Sequence, residues 1–124
     1  AGSSLESLLE GLYEPVESRE FRLKILAEDF RAAGTAVLDS LAEYAKEQPG
    51  WSIAPDNCEG VRVNLDKAHG DGWFLLRLSL HDPILPLNIE SDREHGARTI
   101  ARQLAPFLAQ QVNIDASSAL EFTL

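Results

Sequence analysis

The stretch that decides the fold is Gly72–Ser91, GWFLLRLSLHDPILPLNIES. Two apolar segments flank a corner, Arg77–Pro83 (RLSLHDP), that packs an arginine, a serine, a histidine and an aspartate into a few positions. Trp73–Leu80 and Leu85–Glu90 read as strands, and so short a connection makes them antiparallel. Alternation puts Trp73, Leu75, Arg77 and Ser79 on one face and Phe74, Leu76, Leu78 and Leu80 on the other. The second set is wholly apolar, as expected of a face covered by helices. Arg77 and Ser79 therefore point together away from the main core, beside a turn containing His81 and Asp82.

Upstream, VRVNL alternates with Val61, Val63 and Leu65 on one face, and WSIAP (51–55) is compatible with a short strand. The loop Asp66–Gly72 is turn chemistry, its Asp-Gly pair suited to positive φ. Further back, EFRLKI alternates: Phe21, Leu23 and Ile25 face one way, Arg22 and Lys24 the other. Between these strands the period changes. From Glu28 to Gln48, Phe30, Ala33, Val37, Leu38, Leu41, Tyr44 and Ala45 form a helical stripe, which Gly34 weakens and Pro49-Gly50 ends.

Downstream, Ser91 and Glu94 have capping-box spacing. The helix they open carries Ala97, Ile100, Ala101, Leu104, Phe107 and Leu108 inward, with Pro106 expected to kink or shorten its last turns. The expected class is α+β, an antiparallel four-stranded sheet with two amphipathic helices packed on one face. Residues 1–19 read as a connector with an added lead (AGSS), 20–111 as one folded domain, and 112–124 as a tail that a short strand and a loose end fit equally well.

Composition narrows the function. The chain has 124 residues, enough for one domain, and 44% are hydrophobic, which supports a packed core. A net charge of −9 argues against nucleic acid, whose binding relies on basic patches. No apolar run is long enough to span a membrane, and the N-terminus lacks a secretory pattern, so the expected compartment is the cytoplasm. Cys58 is the only cysteine, without a basic neighbour to activate it, and reads as an inert thiol.

Two readings of the corner stand side by side. One is a surface ion pair between Arg77 and Asp82, worth under about 1 kcal/mol. The other is an oxyanion site, with a planar guanidinium fork, the Ser79 hydroxyl, the His81 imidazole and turn amides converging on one ligand. A catalytic triad from Ser79, His81 and Asp82 fails, because neighbours in one turn cannot form the relay. His69, His81 and His95 fall in separate segments without metal-ligand spacing, so no metal is expected. Trp73 reads as strand packing rather than a sugar-stacking platform.

Arg77-Leu78-Ser79-Leu80-His81-Asp82-Pro83, followed by ILPLNIES, resembles the phosphate-binding loop of the α-D-phosphohexomutases, the phosphomannomutase/phosphoglucomutase family. That loop usually reads R-A-S-N-T-E-P before an apolar strand ending in R-F-E-A. EGVRVNL, the Gly-Trp strand and the following helix are similar to the family's C-terminal domain, and EPVESREFRLKI to its connector and first strand. Arg77, Ser79 and Pro83 match, Asp82 replaces Glu, Leu80 replaces Asn, His81 replaces Thr, and Asn88 stands where the family has Arg. The resemblance implies a substrate-phosphate site at Arg77, Ser79, Leu80, His81 and Asn88, in a domain that clamps the non-reacting phosphate of a hexose phosphate. The catalytic serine loop, the Asp-rich magnesium loop and the sugar-selecting loop have no counterpart here. The resemblance thus implies an isomerase of carbohydrate metabolism as the parent chain. In it magnesium and the other domains would complete the active site, while this domain carries no catalytic residue or cofactor. The alternative is a free-standing small-molecule-binding or regulatory α+β module.

Overall fold

The computed structural model describes residues 15–54, 60–79 and 81–124. In chain order the elements are β1 (Glu17–Ile25), α1 (Phe30–Lys46), β2 (Trp51–Ile53), β3 (Gly60–Leu65), β4 (Gly72–Arg77), β5 (Ile84–Ser91), α2 (Gly96–Gln110), β6 (Ile114–Asp115) and α3 (Ser117–Phe122). The class is α+β with an antiparallel sheet, as the sequence predicts. The sheet has six strands rather than four, in the order β2-β3-β4-β5-β1-β6. The two extra strands are the short ones at the edges, two and three residues long, where periodicity carries little signal.

Consecutive strands β2 to β5 form a meander, and β1 then pairs with the far side of β5, from Glu17 opposite Ser91 to Lys24 opposite Ile84. Leu23, Ile25, Val61, Val63, Leu65, Phe74, Leu76, Leu85, Leu87 and Ile89 are buried and project to the side that α1 and α2 cover. Burying each such side chain contributes about 1.5–3 kcal/mol against exposure. Leu78 follows the expected alternation and packs against this core. Gly34 admits it: a Cβ on that helix residue would collide with the Leu78 side chain. The glycine that weakens α1 locally is what lets the helix approach the sheet.

Asp29 caps α1 by accepting a hydrogen bond from the Ala32 amide at 3.2 Å. At the other helix, the expected capping box is absent. Ser91 is the last residue of β5, opposite both Glu17 and Gly72, and it is buried. Its hydroxyl donates to the Gly70 carbonyl at 2.5 Å and accepts from the Arg93 amide at 3.1 Å. Strand pairing claims this serine, and α2 starts only at Gly96, after His95 in a left-handed conformation with φ 65°. The carboxylate that serves the helix start comes from β1. Glu17 accepts from the His95 amide at 2.9 Å and from the Ala97 amide at 3.0 Å. Residues 17–19, read as connector, thus belong to the sheet.

Pro106 neither stops nor shortens α2, which runs on to Gln110. The proline ring is on the exposed side, where water can satisfy a carbonyl that loses its helical partner, while Phe107 and Leu108 stay buried. Residues 112–124 contribute β6 and α3. Ala119 is buried, and Phe122 lies 5.4 Å from Phe21 between Arg19 and Arg98, whose guanidinium carbons are 5.5 and 5.7 Å from its ring centre. Around the Asp66–Gly72 loop the positive φ values fall on Gly70 and Asp71. Among the described residues no helix is long and apolar enough to cross a membrane.

Candidate functional site

The face of the sheet opposite the helices carries the other half of each alternation: Glu20, Arg22 and Lys24 on β1, Arg62 on β3, Trp73, Leu75 and Arg77 on β4, and Asn88 on β5. At the end of β4 the chain turns through the corner and returns as β5. The Ser79 amide donates to the Ile84 carbonyl at 3.0 Å, the Ile84 amide to the Asp82 carbonyl at 2.7 Å, and the Ile25 amide to the Pro83 carbonyl at 2.7 Å. These bonds anchor the corner at its base and tie it to β1.

Glu20, Arg22, Arg77, Ser79, Asp82, Ile84 and Pro86 line one recess of about 140 Å³ at this corner. Three of the residues that the sequence brings into the corner, Arg77, Ser79 and Asp82, therefore share a cavity large enough for a tetrahedral oxyanion. Buried Pro86 and half-buried Ile84 give it an apolar floor. The Arg77–Asp82 ion pair offered by the first reading of the corner does not form. Among the described residues Arg77 makes no hydrogen bond or ion pair, so its fork is available to a ligand. The Ser79 hydroxyl oxygen accepts a long hydrogen bond, 3.4 Å, from the Asp82 amide, which leaves its own proton free to donate.

The other expected ligands lie differently. His81 is exposed and Asn88 half-buried, and neither lines the recess. Asn88 is on the open face, opposite Leu75 and Glu20, one alternation beyond Pro86. Leu80 lies outside the described residues, as does Cys58. The Ser79, Asp82 and Ile84 amides are all engaged within the loop, so side chains rather than a nest of amides dominate the described part of the recess. Glu20 and Arg22 were not identified from the sequence. Alternation places Arg22 on the polar face of its strand, but only the pairing of β1 with β5 brings it to the corner.

Elsewhere, His69 Nδ1 lies 2.6 Å from an Asp66 carboxylate oxygen, and Trp73 lies under the Arg62 guanidinium at 4.2 Å from the ring centre. The tryptophan thus packs on a strand neighbour, in keeping with a structural role. Among the described residues no group of three His, Cys, Asp or Glu side chains comes together to hold a metal ion. Neither the family models nor the curated proteins compared with this chain match it.

Proposed function

We propose that this chain is the phosphate-clamping C-terminal domain of a phosphomannomutase or phosphoglucomutase, and that its corner holds the non-reacting phosphate of a hexose phosphate. The observation that carries the reading is the Arg77 guanidinium, without a partner among the described residues, beside the Ser79 hydroxyl in one recess. A charged fork next to a free hydroxyl proton suits a phosphoryl group, which accepts several charge-assisted hydrogen bonds at once. The loop resemblance, Arg77 through Pro83, points to the same ligand.

The work of such a site is positioning. Holding one end of the sugar phosphate fixes the other end for in-line transfer, turning binding energy into orientation. Because the recess touches a phosphate rather than a particular sugar face, it serves either end of the substrate. The catalytic serine and the magnesium ion belong to other domains of the parent enzyme in this reading. No step is assigned to this chain beyond binding.

The test is titration of glucose 6-phosphate and mannose 6-phosphate into the 124-residue chain, followed by amide chemical shifts. Saturable shifts centred on residues 77–86, lost in Arg77→Ala, are expected. Absence of saturable shifts at the corner would remove the reading.

A further inference from the structure

Among the described residues the open face carries four cations on β1, β3 and β4, and two of them, Arg62 and Lys24, do not line the recess. Arg62 lies over the Trp73 ring. Lys24 stands opposite Asp115 on β6, away from the recess. Arg22 and Arg77 remain. Neither makes a hydrogen bond or ion pair among the described residues, and both line the same recess. Placing two guanidiniums around one small cavity costs Coulomb energy that an anion between them would reverse. The two carboxylates that share the lining, Glu20 and Asp82, reduce that repulsion without pairing with either arginine.

The sheet explains the juxtaposition. Arg22 stands opposite Pro86 on β5, and Arg77 follows Leu76, whose partner on β5 is Leu87. The two arginines thus flank Pro86 from the neighbouring strands β1 and β4. Proline has a short ring and no long side chain to separate them.

We infer that Arg22 is the second cation of this site, so that a phosphomonoester dianion is held between guanidinium forks from β1 and β4. The inference rests on reading the recess as a phosphate site, and it adds a preference for ligand charge. A phosphomonoester carries about −1.5 to −2 charge at neutral pH, which one arginine neutralises only in part. A sulfate monoester carries a single charge and the same tetrahedral oxygens. It gains less from the second fork, while Glu20 and Asp82 repel it all the same. The site therefore selects dianions over monoanions through Arg22.

The experiment compares methyl phosphate with methyl sulfate, titrated into the 124-residue chain and its variants at about pH 8, where the phosphate is dianionic. Arg22→Gln should weaken methyl phosphate about tenfold or more, as loss of a charge-assisted contact implies, and methyl sulfate much less. Arg22→Lys keeps the charge without the fork and should lie between. It reads the same contact should the glutamine variant not fold. Arg77→Gln should weaken both probes. Full methyl phosphate affinity and unchanged selectivity in folded Arg22→Gln would overturn the inference and leave the phosphate site standing. A wild-type chain that binds neither probe at the corner would overturn both.

Discussion

Glu17 caps a helix from far along the chain: one carboxylate oxygen accepts from the Ala97 amide, 80 residues on, at 3.0 Å, and the other from the His95 amide at 2.9 Å. Burial alone would raise the Glu17 carboxyl. The two amide hydrogen bonds, with Arg19 and His95 nearby, outweigh that effect and hold it below its ordinary value. A carboxyl lowered in the folded state stabilises the fold above its unfolded pKa, about 4.3, and loses that contribution as pH falls through the folded value. Glu17→Ala should therefore cost about 1 kcal/mol at pH 7, in line with other cap losses. The gap between wild type and variant in urea unfolding should close as the pH drops below about 4. A gap that persists undiminished at pH 3 would show that the carboxylate charge is irrelevant.

Ser91 offers a second test, on the strand side of the same junction. Its buried hydroxyl satisfies the Gly70 carbonyl and the Arg93 amide. Ser91→Ala leaves both without that partner and should cost about 1–3 kcal/mol. If Ser91 served instead as an exposed helix cap, Ser91→Asp would be tolerated. The buried position predicts that the aspartate variant is the worse of the two by thermal unfolding.

For Arg77 the expected signature is function lost without stability lost. The residue is half-buried on the open face and has no partner among the described residues. Arg77→Ala should weaken hexose phosphate binding about tenfold or more, while the unfolding free energy stays within about 0.5 kcal/mol of wild type. His81→Ala, altering an exposed side chain outside the recess, should leave affinity unchanged. Equal losses in both variants would point to loop disruption rather than to a ligand contact.

The chain by itself should interconvert no hexose 1-phosphate and 6-phosphate, since the reading assigns the transferable phosphoryl group to a serine elsewhere in the parent enzyme. A coupled assay with pure protein checks this. Turnover that tracks the protein through purification and disappears in Arg77→Ala would overturn the division of labour.

The strand and helix faces were legible because a period of two or of three and four runs through long segments. Phe74 and Leu76 inward, Arg77 and Ser79 outward, follow from alternation alone. What was not legible depends on partners far apart in the chain. Ser91 and Glu94 spell a helix start, and the serine is nevertheless taken by pairing with Glu17 and Gly72, which no local pattern announces. The recess shows the same division. Arg77, Ser79 and Asp82 come from one short corner and were found there. Glu20 and Arg22 reach it only because β1 closes against β5. Asn88, matched to the family's cation by position in the strand after the loop, stands one alternation away from the lining.

The closing of β1 against β5 also has a kinetic side. Strands β3, β4 and β5 join through short connections and can assemble early, whereas the pairing of Glu17 with Ser91 must close a long loop before any contact compensates for it. The recess is built across that late seam, with Arg22 on one bank and Arg77 on the other. A ligand held by both would bind only the chain in which the seam has closed. With β1 docking after the transition state, phosphate should slow unfolding more than it speeds folding, which unfolding and refolding rates with and without phosphate would check.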